Sequence, residues 1–369
     1  MSEIVVDTMS GIAASTTPID RANALRRGPR RAWGLAGLAL AALVGAALLG
    51  VVIGSVAIPP QAVLALLLDR LTGLPAAVAY PPAYATILFD IRLPRVALMA
   101  LTGAALASAG ASYQGLFRNP LADPYLVGVA AGAGLGATLA LVFNLPSTPL
   151  GLGAVPVSAL IGAILTVGLV MLSAQVGHTM PVSTTLLAGV AIGAFASAFT
   201  TLIMLRTPDG LRRSFNWLLG GYAGGGWEPV LIILPYLAVG LAAVQLNARA
   251  LNVLQLDEEQ ARQLGINVER VKLILVVAAT LMTAAVVAFG GLIGFVGLIV
   301  PHSLRLIGGP DYRRLIPLSA IGGAAFLILA DLIARTIVAP QELPVGVVTA
   351  MVGAPFFVFL LRQLKRSVF

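Results

Sequence analysis

Asp331 is the acidic side chain best placed to do chemistry inside the apolar part of this 369-residue chain. It lies four residues before Arg335, and residues four apart share one face of a helix, so an ion pair between them is predicted. A buried carboxylate can also act as the proton relay of an ion-driven carrier. Because Asp331 lies toward the end of its apolar segment with a cation in reach, we interpret it as a structural or docking group.

Several kinds of catalytic and cofactor chemistry lack the residues that they need. The chain has no cysteine, and its only lysines are Lys272 and Lys365, so the G-x-x-x-x-G-K pattern with which a P-loop holds ATP does not occur. His178 and His302 are far apart in the sequence, and no H-E-x-x-H or paired-carboxylate pattern is present. We therefore predict that the chain is not an enzyme and binds no metal or cofactor of its own.

The most charged stretch of the chain, residues 251–270, could form a contact surface. Asp257 is a favourable N-cap with Gln260 in the capping-box position, Gly265 is a natural C-terminal stop, and a second helix can begin at Asn267. Two short helices would then expose apolar side chains for a partner, or would simply connect two larger helices. The apolar candidates are Leu254, Leu256, Ala261, Leu264 and Ile266.

The elements that must position these residues are membrane helices. The chain is 59% hydrophobic and 10% charged, whereas soluble domains carry roughly 25% charged residues. A bilayer span needs about 20 apolar residues, and counting such stretches predicts an all-α, polytopic membrane protein with about ten transmembrane helices. The uncharged run Pro124–Leu205 must hold three spans with breaks near Asn144–Pro149 and Gly177–Pro181, and Leu273–Leu304 must break at the glycines of Gly290–Gly297.

The N-terminal region is predicted to differ from the rest. Residues 1–32 are polar and are predicted to form a disordered cytoplasmic tail, and residues 33–369 are predicted to form the transmembrane domain. The apolar run Trp33–Ile58 is longer than the hydrophobic region of a secretory signal, so it is predicted to be an uncleaved first span.

The distribution of basic residues predicts the orientation. With the N-terminus inside and ten alternating spans, sixteen of the 23 lysines and arginines fall in inside segments and seven in outside segments. Basic residues collect in cytoplasmic loops, so both termini are predicted to be cytoplasmic. This topology also accounts for the formal charge of +8, and no nucleic-acid partner is predicted.

A series of motifs from about residue 35 to the end of the chain resembles the FecCD family, whose members are permease subunits of type II ABC importers for ferric siderophores, haem and cobalamin. The resemblance rests on the ordered set rather than on any one motif. Its main members are Arg92-Leu-Pro-Arg95, Gln114-Gly-Leu-Phe-Arg-Asn-Pro-Leu-Ala-Asp-Pro124, Gly294-Phe-Val-Gly-Leu-Ile-Val-Pro-His302, Ala330-Asp-Leu-Ile-Ala-Arg335 and Glu342-Leu-Pro-Val-Gly346.

The resemblance implies the type II ABC importer permease fold and a set of partners. These are a second copy of the chain, two ATPase subunits on the cytoplasmic side that would supply ATP and Mg²⁺ chemistry, an extracytoplasmic substrate-binding protein and membrane lipid. The implied location is the cytoplasmic (inner) membrane of a bacterium or archaeon.

The resemblance also implies roles for three groups of residues. Arg92, Arg95 and Arg335 match arginines that dock glutamates of the binding protein, with interfacial snorkelling as the alternative. Asn119 and Leu121 match a cytoplasmic gate, and Ser183 and Thr184 lie near a second gate element or serve as helix caps. The residues that match the coupling helices are Asp257, Glu258, Glu259, Ala261, Arg262, Leu264 and Gly265.

The resulting functional prediction is an importer permease for a bulky iron chelate, with a ferric siderophore as first choice and haem and cobalamin open. No haem-ligating pattern is seen, since His178 and His302 are both predicted to be cytoplasmic. The alternatives are a secondary carrier driven by a proton or sodium gradient through Asp331, and a membrane scaffold that transports nothing.

Overall fold

Proline and capping residues set where several helices begin. Pro60 and Pro82 lie in the first turn of their helices, where the missing N–H has no helical partner to lose. Asn267 starts another helix by accepting the backbone N–H of Arg270 at 3.0 Å, as the sequence predicted. That helix is the 23-residue segment Val268–Gly290, however, so the predicted second short helix is wrong and the next span begins at Val268.

The computed structural model describes residues 18–54, 56–73, 80–148, 153–177, 179–222 and 225–366, with the backbone alone for 18–33 and 360–366. The helices in chain order are α1 (Pro18–Val52), α2 (Pro60–Thr72), α3 (Pro82–Leu116), α4 (Val129–Val142), α5 (Ala154–Ala174), α6 (Val182–Met204), α7 (Pro208–Leu218), α8 (Glu228–Leu246), α9 (Ala248–Leu254), α10 (Glu258–Gln263), α11 (Val268–Gly290), α12 (Val296–Gly308), α13 (Tyr312–Thr336) and α14 (Val345–Arg366).

The predicted all-helical membrane fold is confirmed. Seven helices within the described residues are long and apolar enough to cross a membrane. Three shorter apolar segments, Val129–Val142, Val296–Gly308 and the Val345–Phe359 part of α14, bring the number of apolar helices to the predicted ten. The described residues contain no strand, only an isolated bridge between Val176 and Thr179. We refer below to the predicted cytoplasmic end of the bundle, which carries the loops around residues 117–128, 175–181 and 247–267, and to the predicted outer end opposite it.

The predicted break in the long apolar run 273–304 is confirmed. Helix α11 ends at Gly290 and α12 begins at Val296. Gly291 and Phe295 have positive φ angles of 65° and 67°, which turn the chain between the two helices. The Tyr125 hydroxyl holds this turn, because it donates to the Ile293 carbonyl at 3.0 Å and accepts from the Ile293 N–H at 3.1 Å.

Two boundaries differ from the sequence prediction. The first helix runs from Pro18 to Val52 rather than from Trp33 to Ile58, so residues 18–32 of the predicted disordered tail are helical, while residues 1–17 lie outside the described residues. Helix α3 begins at Pro82, although the sequence predicted a span starting at Val96. The added segment is charged, and it enters the bundle because its arginines find partners on other helices.

Close contacts between glycines allow the central helices to cross. Helices α3, α11 and α13 are the most buried spans, whereas α1 and α6 leave most of their surface exposed. At Gly103 of α3 an added Cβ would lie 2.6 Å from the carbonyl carbon of Gly323 in α13 and 2.9 Å from the Leu327 Cβ. Small residues at such a crossing let two membrane helices pack by van der Waals contact.

Replacing Gly103 by alanine is therefore expected to destabilise the protein by about 1–3 kcal/mol, because overpacking forces the two helices apart. The matched control is Gly37→Ala in α1, where an added Cβ meets no atom within 4 Å. The control should melt at or slightly above the wild-type temperature in detergent. Equal melting temperatures for Gly103→Ala and Gly37→Ala would contradict the close crossing.

Candidate functional site

Asp331 bridges two arginines at the predicted outer end of the bundle. Its Oδ1 lies 2.9 Å from Arg95 Nη2 of α3, and its Oδ2 lies 2.9 Å from Arg335 Nε one turn along α13. The Asp331–Arg335 pair that the sequence spacing predicted is thus confirmed, and Arg95 joins it from a helix 236 residues away in sequence. Arg95 also pairs with Glu342, at 2.8 Å, in the segment before α14.

Arg92 and Arg335 hold the end of the first span. Arg92 donates to the carbonyls of Val51 at 2.9 Å and Val52 at 2.8 Å, and also to the carbonyl of Val56. Arg335 Nη2 donates to the Gly50 carbonyl at 3.2 Å. The last carbonyls of a helix have no partner inside it and carry partial negative charge, so guanidinium groups stabilise the C-terminal end of α1.

The structure brings the three predicted docking arginines, Arg92, Arg95 and Arg335, into one cluster, but it buries them. Their donors are occupied by Asp331, Glu342 and backbone carbonyls of α1. The three arginines and two carboxylates of this cluster leave it with a net positive charge, which suits an acidic partner. Docking remains a prediction, and any docking carboxylate would meet side chains that are already paired.

A second cluster joins three loops at the predicted cytoplasmic end. Lys272 Nζ lies 2.8 Å from Glu258 Oε2 and donates to the Met180 carbonyl at 3.0 Å. Glu269 accepts the Met180 N–H at 3.0 Å and lies 3.2 Å from Arg262. The helix α10 and the start of α11 are therefore tied to the loop between α5 and α6.

The capping prediction for Asp257 is only half correct. Asp257 occupies the N-cap position of α10, but its side chain makes no capping hydrogen bond. Its carboxylate instead lies 3.5 Å from the Arg118 guanidinium in the loop before α4. Gly265 does end this element as predicted, with φ +81° and its N–H donated to the Arg262 carbonyl.

The predicted apolar contact surface divides into two parts. Leu254 and Ala261 are fully buried, so Ala261 anchors α10 to the bundle and does not belong to an open surface. Leu256 and Leu264 are 61% and 64% exposed on the same loop. These two exposed leucines are the part of the loop that fits the predicted contact surface, which stays a prediction. The charged residues Glu259 and Arg262 lie beside them and are also largely exposed.

The four predicted gate residues have different surroundings. Ser183 lines a cavity of about 790 Å³ together with Arg118, Glu258 and Lys272, so it lies beside the cytoplasmic cluster. The Thr184 hydroxyl lies in the first turn of α6 and donates to the carbonyls of Ala174 and Pro181. The helix-cap alternative for Ser183 and Thr184 is wrong, because Pro181 occupies the N-cap position and no side chain caps this helix.

The other two gate residues form a local turn. Asn119 Oδ1 accepts the N–H of Leu121 at 2.9 Å, and neither residue lines the Ser183 cavity. The same loop contains Asp123, which accepts the Tyr125 N–H at 2.9 Å. Burial raises the pKa of Asp123 to about 6, against the lowering effect of that hydrogen bond.

Of the two histidines, the structure describes only His302. No group of three His, Cys, Asp or Glu side chains able to hold a metal occurs among the described residues. His302 is buried in α12 with its ring 6.4 Å from that of Phe356 in an edge-on contact. His178 lies outside the described residues.

A model of the FecCD transport family matches residues 41–363, which is most of the chain. The chain belongs to the FecCD transport family. It is a transport permease subunit rather than an enzyme, and its fold is that of a type II ABC importer permease.

Relatives of this FecCD permease include two with named cargo. It is 45% identical over 284 residues to the cobalamin import system permease BtuC of Halobacterium salinarum, covering 77% of this chain and 75% of that protein. It is 42% identical over 285 residues to the hemin transport system permease HmuU of Yersinia pestis, covering 75% and 84%. A solved ABC transporter assigned to the metal-chelate type, in an inward-facing conformation, superposes with a TM-score of 0.77, 28% identity and 91% and 99% coverage.

The FecCD permease also has a cavity between spans that sequence analysis did not identify. Mostly small and hydroxyl side chains of α4 and α6 line about 500 Å³, together with Tyr125, Leu218 and Leu292 from neighbouring segments, and no charged side chain takes part. The wall includes Gly134, Gly189 and Gly193, with Ser197 and Thr200 as polar members. The only sequence feature at this cavity is the long uncharged run 124–205. Three membrane spans already explained that run, so it did not indicate a cavity.

Glu342 and the carbonyls of α1 are the other partners that sequence analysis did not identify. Glu342 stood in a family motif without an assigned role. The signal that could have found these contacts is that Arg92 and Arg95 precede an apolar helix with no acidic residue three or four positions away. A charged side chain in such a place needs a partner from another part of the fold.

Proposed function

We propose that this chain is one of two identical permease subunits of an ATP-driven importer for a bulky metal chelate. Two ATPase subunits bind the cytoplasmic loop around α10, and a binding protein delivers the substrate to the outer end. The complex lies in the cytoplasmic membrane of a bacterium or archaeon, with both termini inside. The observation that carries this proposal is the family match over residues 41–363 in a chain without a P-loop.

The substrate class rests on two observations. The relatives with named cargo import cobalamin and haem, and a similar solved structure is assigned to the metal-chelate type. The cavity between α4 and α6 offers hydroxyl groups and small side chains but no charge, so it suits passage of a large molecule rather than tight binding. These observations favour cobalamin or haem over the ferric siderophore that the sequence placed first.

The ion-pair cluster supports a route by which the ATPases could act on the gate. Movement of α10 would pull on Glu258 and Asp257, which pair with Lys272 and Arg118. Arg118 lies in the loop before α4, and Lys272 holds the Met180 carbonyl in the loop before α6. In the proposed mechanism the helices that line the cavity therefore respond to a displacement of the cytoplasmic loop.

Uptake measurements with three chelates test this proposal. Cells that lack the chain should fail to accumulate one chelate among cobalamin, haem and a ferric siderophore, and the wild-type chain should restore it. The same cells with a folded Leu256→Asp/Leu264→Asp variant serve as the inactive control. If the wild-type chain is in the membrane and changes the uptake of none of the three, the proposed substrate class is wrong.

A further inference from the structure

A groove between α5 and α11 opens on the outside of the bundle at the predicted cytoplasmic end. It encloses about 720 Å³, within the range of roughly 300–1,000 Å³ that small-molecule sites occupy. Its walls are apolar, with Ile164, Leu172 and Val277 among the exposed side chains. An exposed apolar wall on two membrane spans lies against acyl chains or against another protein.

The charged groups of the groove lie at one end, at its mouth. Gln175 and Arg270 line the mouth together with Met180 and Glu269, and the rest of the lining is apolar apart from Thr280. Glu269 already pairs with Arg262 and accepts the Met180 N–H. Among the described residues Arg270 takes part in no ion pair and no side-chain hydrogen bond, so its guanidinium is available to a ligand.

The length of the groove matches one leaflet of a bilayer. From Arg270 to Leu281 on α11 the helix rises about 16 Å at about 1.5 Å per residue, and Gln175 to Ile164 on α5 spans the same rise. The hydrocarbon core is about 30 Å thick, so the groove reaches from the membrane surface to about the midplane. An acyl chain of the cytoplasmic leaflet fits this depth with its headgroup at Arg270.

We infer that this groove binds an anionic glycerophospholipid of the cytoplasmic leaflet, with its phosphate at Arg270 and one acyl chain between α5 and α11. Basic groups between spans on the cytoplasmic side attract anionic headgroups, and the apolar walls bind the chain. The headgroup then lies beside Glu269 and Met180, which belong to the cytoplasmic ion-pair cluster. The inference needs the proposed orientation of the bundle but not its transport activity.

Gly168 offers a direct way to fill the groove. It lines the groove, and an added Cβ there meets no atom within 4 Å, so Gly168→Leu starts a side chain in open space and directs it into the acyl-chain site. Arg270→Gln removes only the charge. The matched controls are Gly45→Leu on α1, where an added Cβ also meets nothing within 4 Å, and Arg249→Gln on the exposed side of α9.

Native mass spectrometry of the full chain in detergent, with phosphatidylglycerol or phosphatidylcholine added, measures the binding. We expect Gly168→Leu to lose the bound lipid and Arg270→Gln to lose roughly five-fold in the preference for phosphatidylglycerol, while both controls match the wild type. Val277→Phe, from the opposite wall, gives the same readout if Gly168→Leu does not fold. Unchanged lipid binding in the folded groove variants, or a change in their oligomeric mass without a change in lipid, would overturn the inference.

Discussion

Asp331→Ala is expected to destabilise the protein by about 3–5 kcal/mol, because it leaves two guanidinium groups buried without their shared counter-ion. Asp331 is 1% exposed at its side chain and lies 2.9 Å from both Arg95 and Arg335. Removing it also releases Arg335 from the geometry in which it donates to the carbonyl of Gly50. The measurement is the melting temperature of the purified protein in detergent, together with the yield of folded protein from membranes.

The matched control for Asp331 is Glu342→Gln. Glu342 also pairs with Arg95, at 2.8 Å, but its side chain is 42% exposed, so water can replace the lost contact. We expect its melting temperature to fall by only a small fraction of the Asp331 effect, since exposed pairs contribute about 0–1 kcal/mol. A stable Asp331→Ala protein that has lost only gradient-driven uptake would support the proton-relay alternative instead.

Leu256→Asp/Leu264→Asp is expected to abolish binding of the ATPase subunits while leaving the chain folded. The two leucines are 61% and 64% exposed, so the change costs the isolated chain little. At the centre of an interface such a charge removes apolar contact and buries an unpaired carboxylate, and a loss of about 2–4 kcal/mol, or roughly 30- to 1,000-fold in affinity, is expected. Copurification with the tagged ATPase measures the effect.

Leu71→Asp provides the matched control for this double variant. Leu71 is 82% exposed near the end of α2, on the predicted outer side, and the chemical change is the same. The ATPase should copurify with Leu71→Asp as with the wild type. If the ATPase remained bound to the Leu256/Leu264 variant, the contact surface assigned to the cytoplasmic loop would be incorrect.

The spans could be predicted from the sequence because hydropathy is a local property. A membrane helix must satisfy its own backbone hydrogen bonds, so an uncharged apolar run of sufficient length forms a transmembrane helix. The break after Gly290 and the stop at Gly265 followed from glycine for the same local reason. The start of α3 could not be predicted this way, because the charged turn before Val96 is stabilised by Asp331 and by the end of α1.

The candidate sites were predicted less completely because they depend on contacts between distant segments. The sequence placed Asp257 at the start of α10, but its carboxylate had two possible partners, the backbone and Arg118, and only the fold decides between them. The motif arginines were located correctly at one end of the bundle. Their burial was not predicted, since it follows from the carbonyls of α1 and from Glu342, which lie far away in the sequence.

This permease is proposed to obtain its energy from a partner ATPase. The most direct test is substrate uptake by vesicles that contain the chain and the ATPase. The binding protein and labelled cobalamin or haem are added on the side of the membrane to which the binding protein docks. We predict uptake that requires ATP, Mg²⁺ and the binding protein and that continues when proton and sodium gradients are abolished. Uptake by the chain alone, driven by such a gradient without ATP, would contradict this prediction.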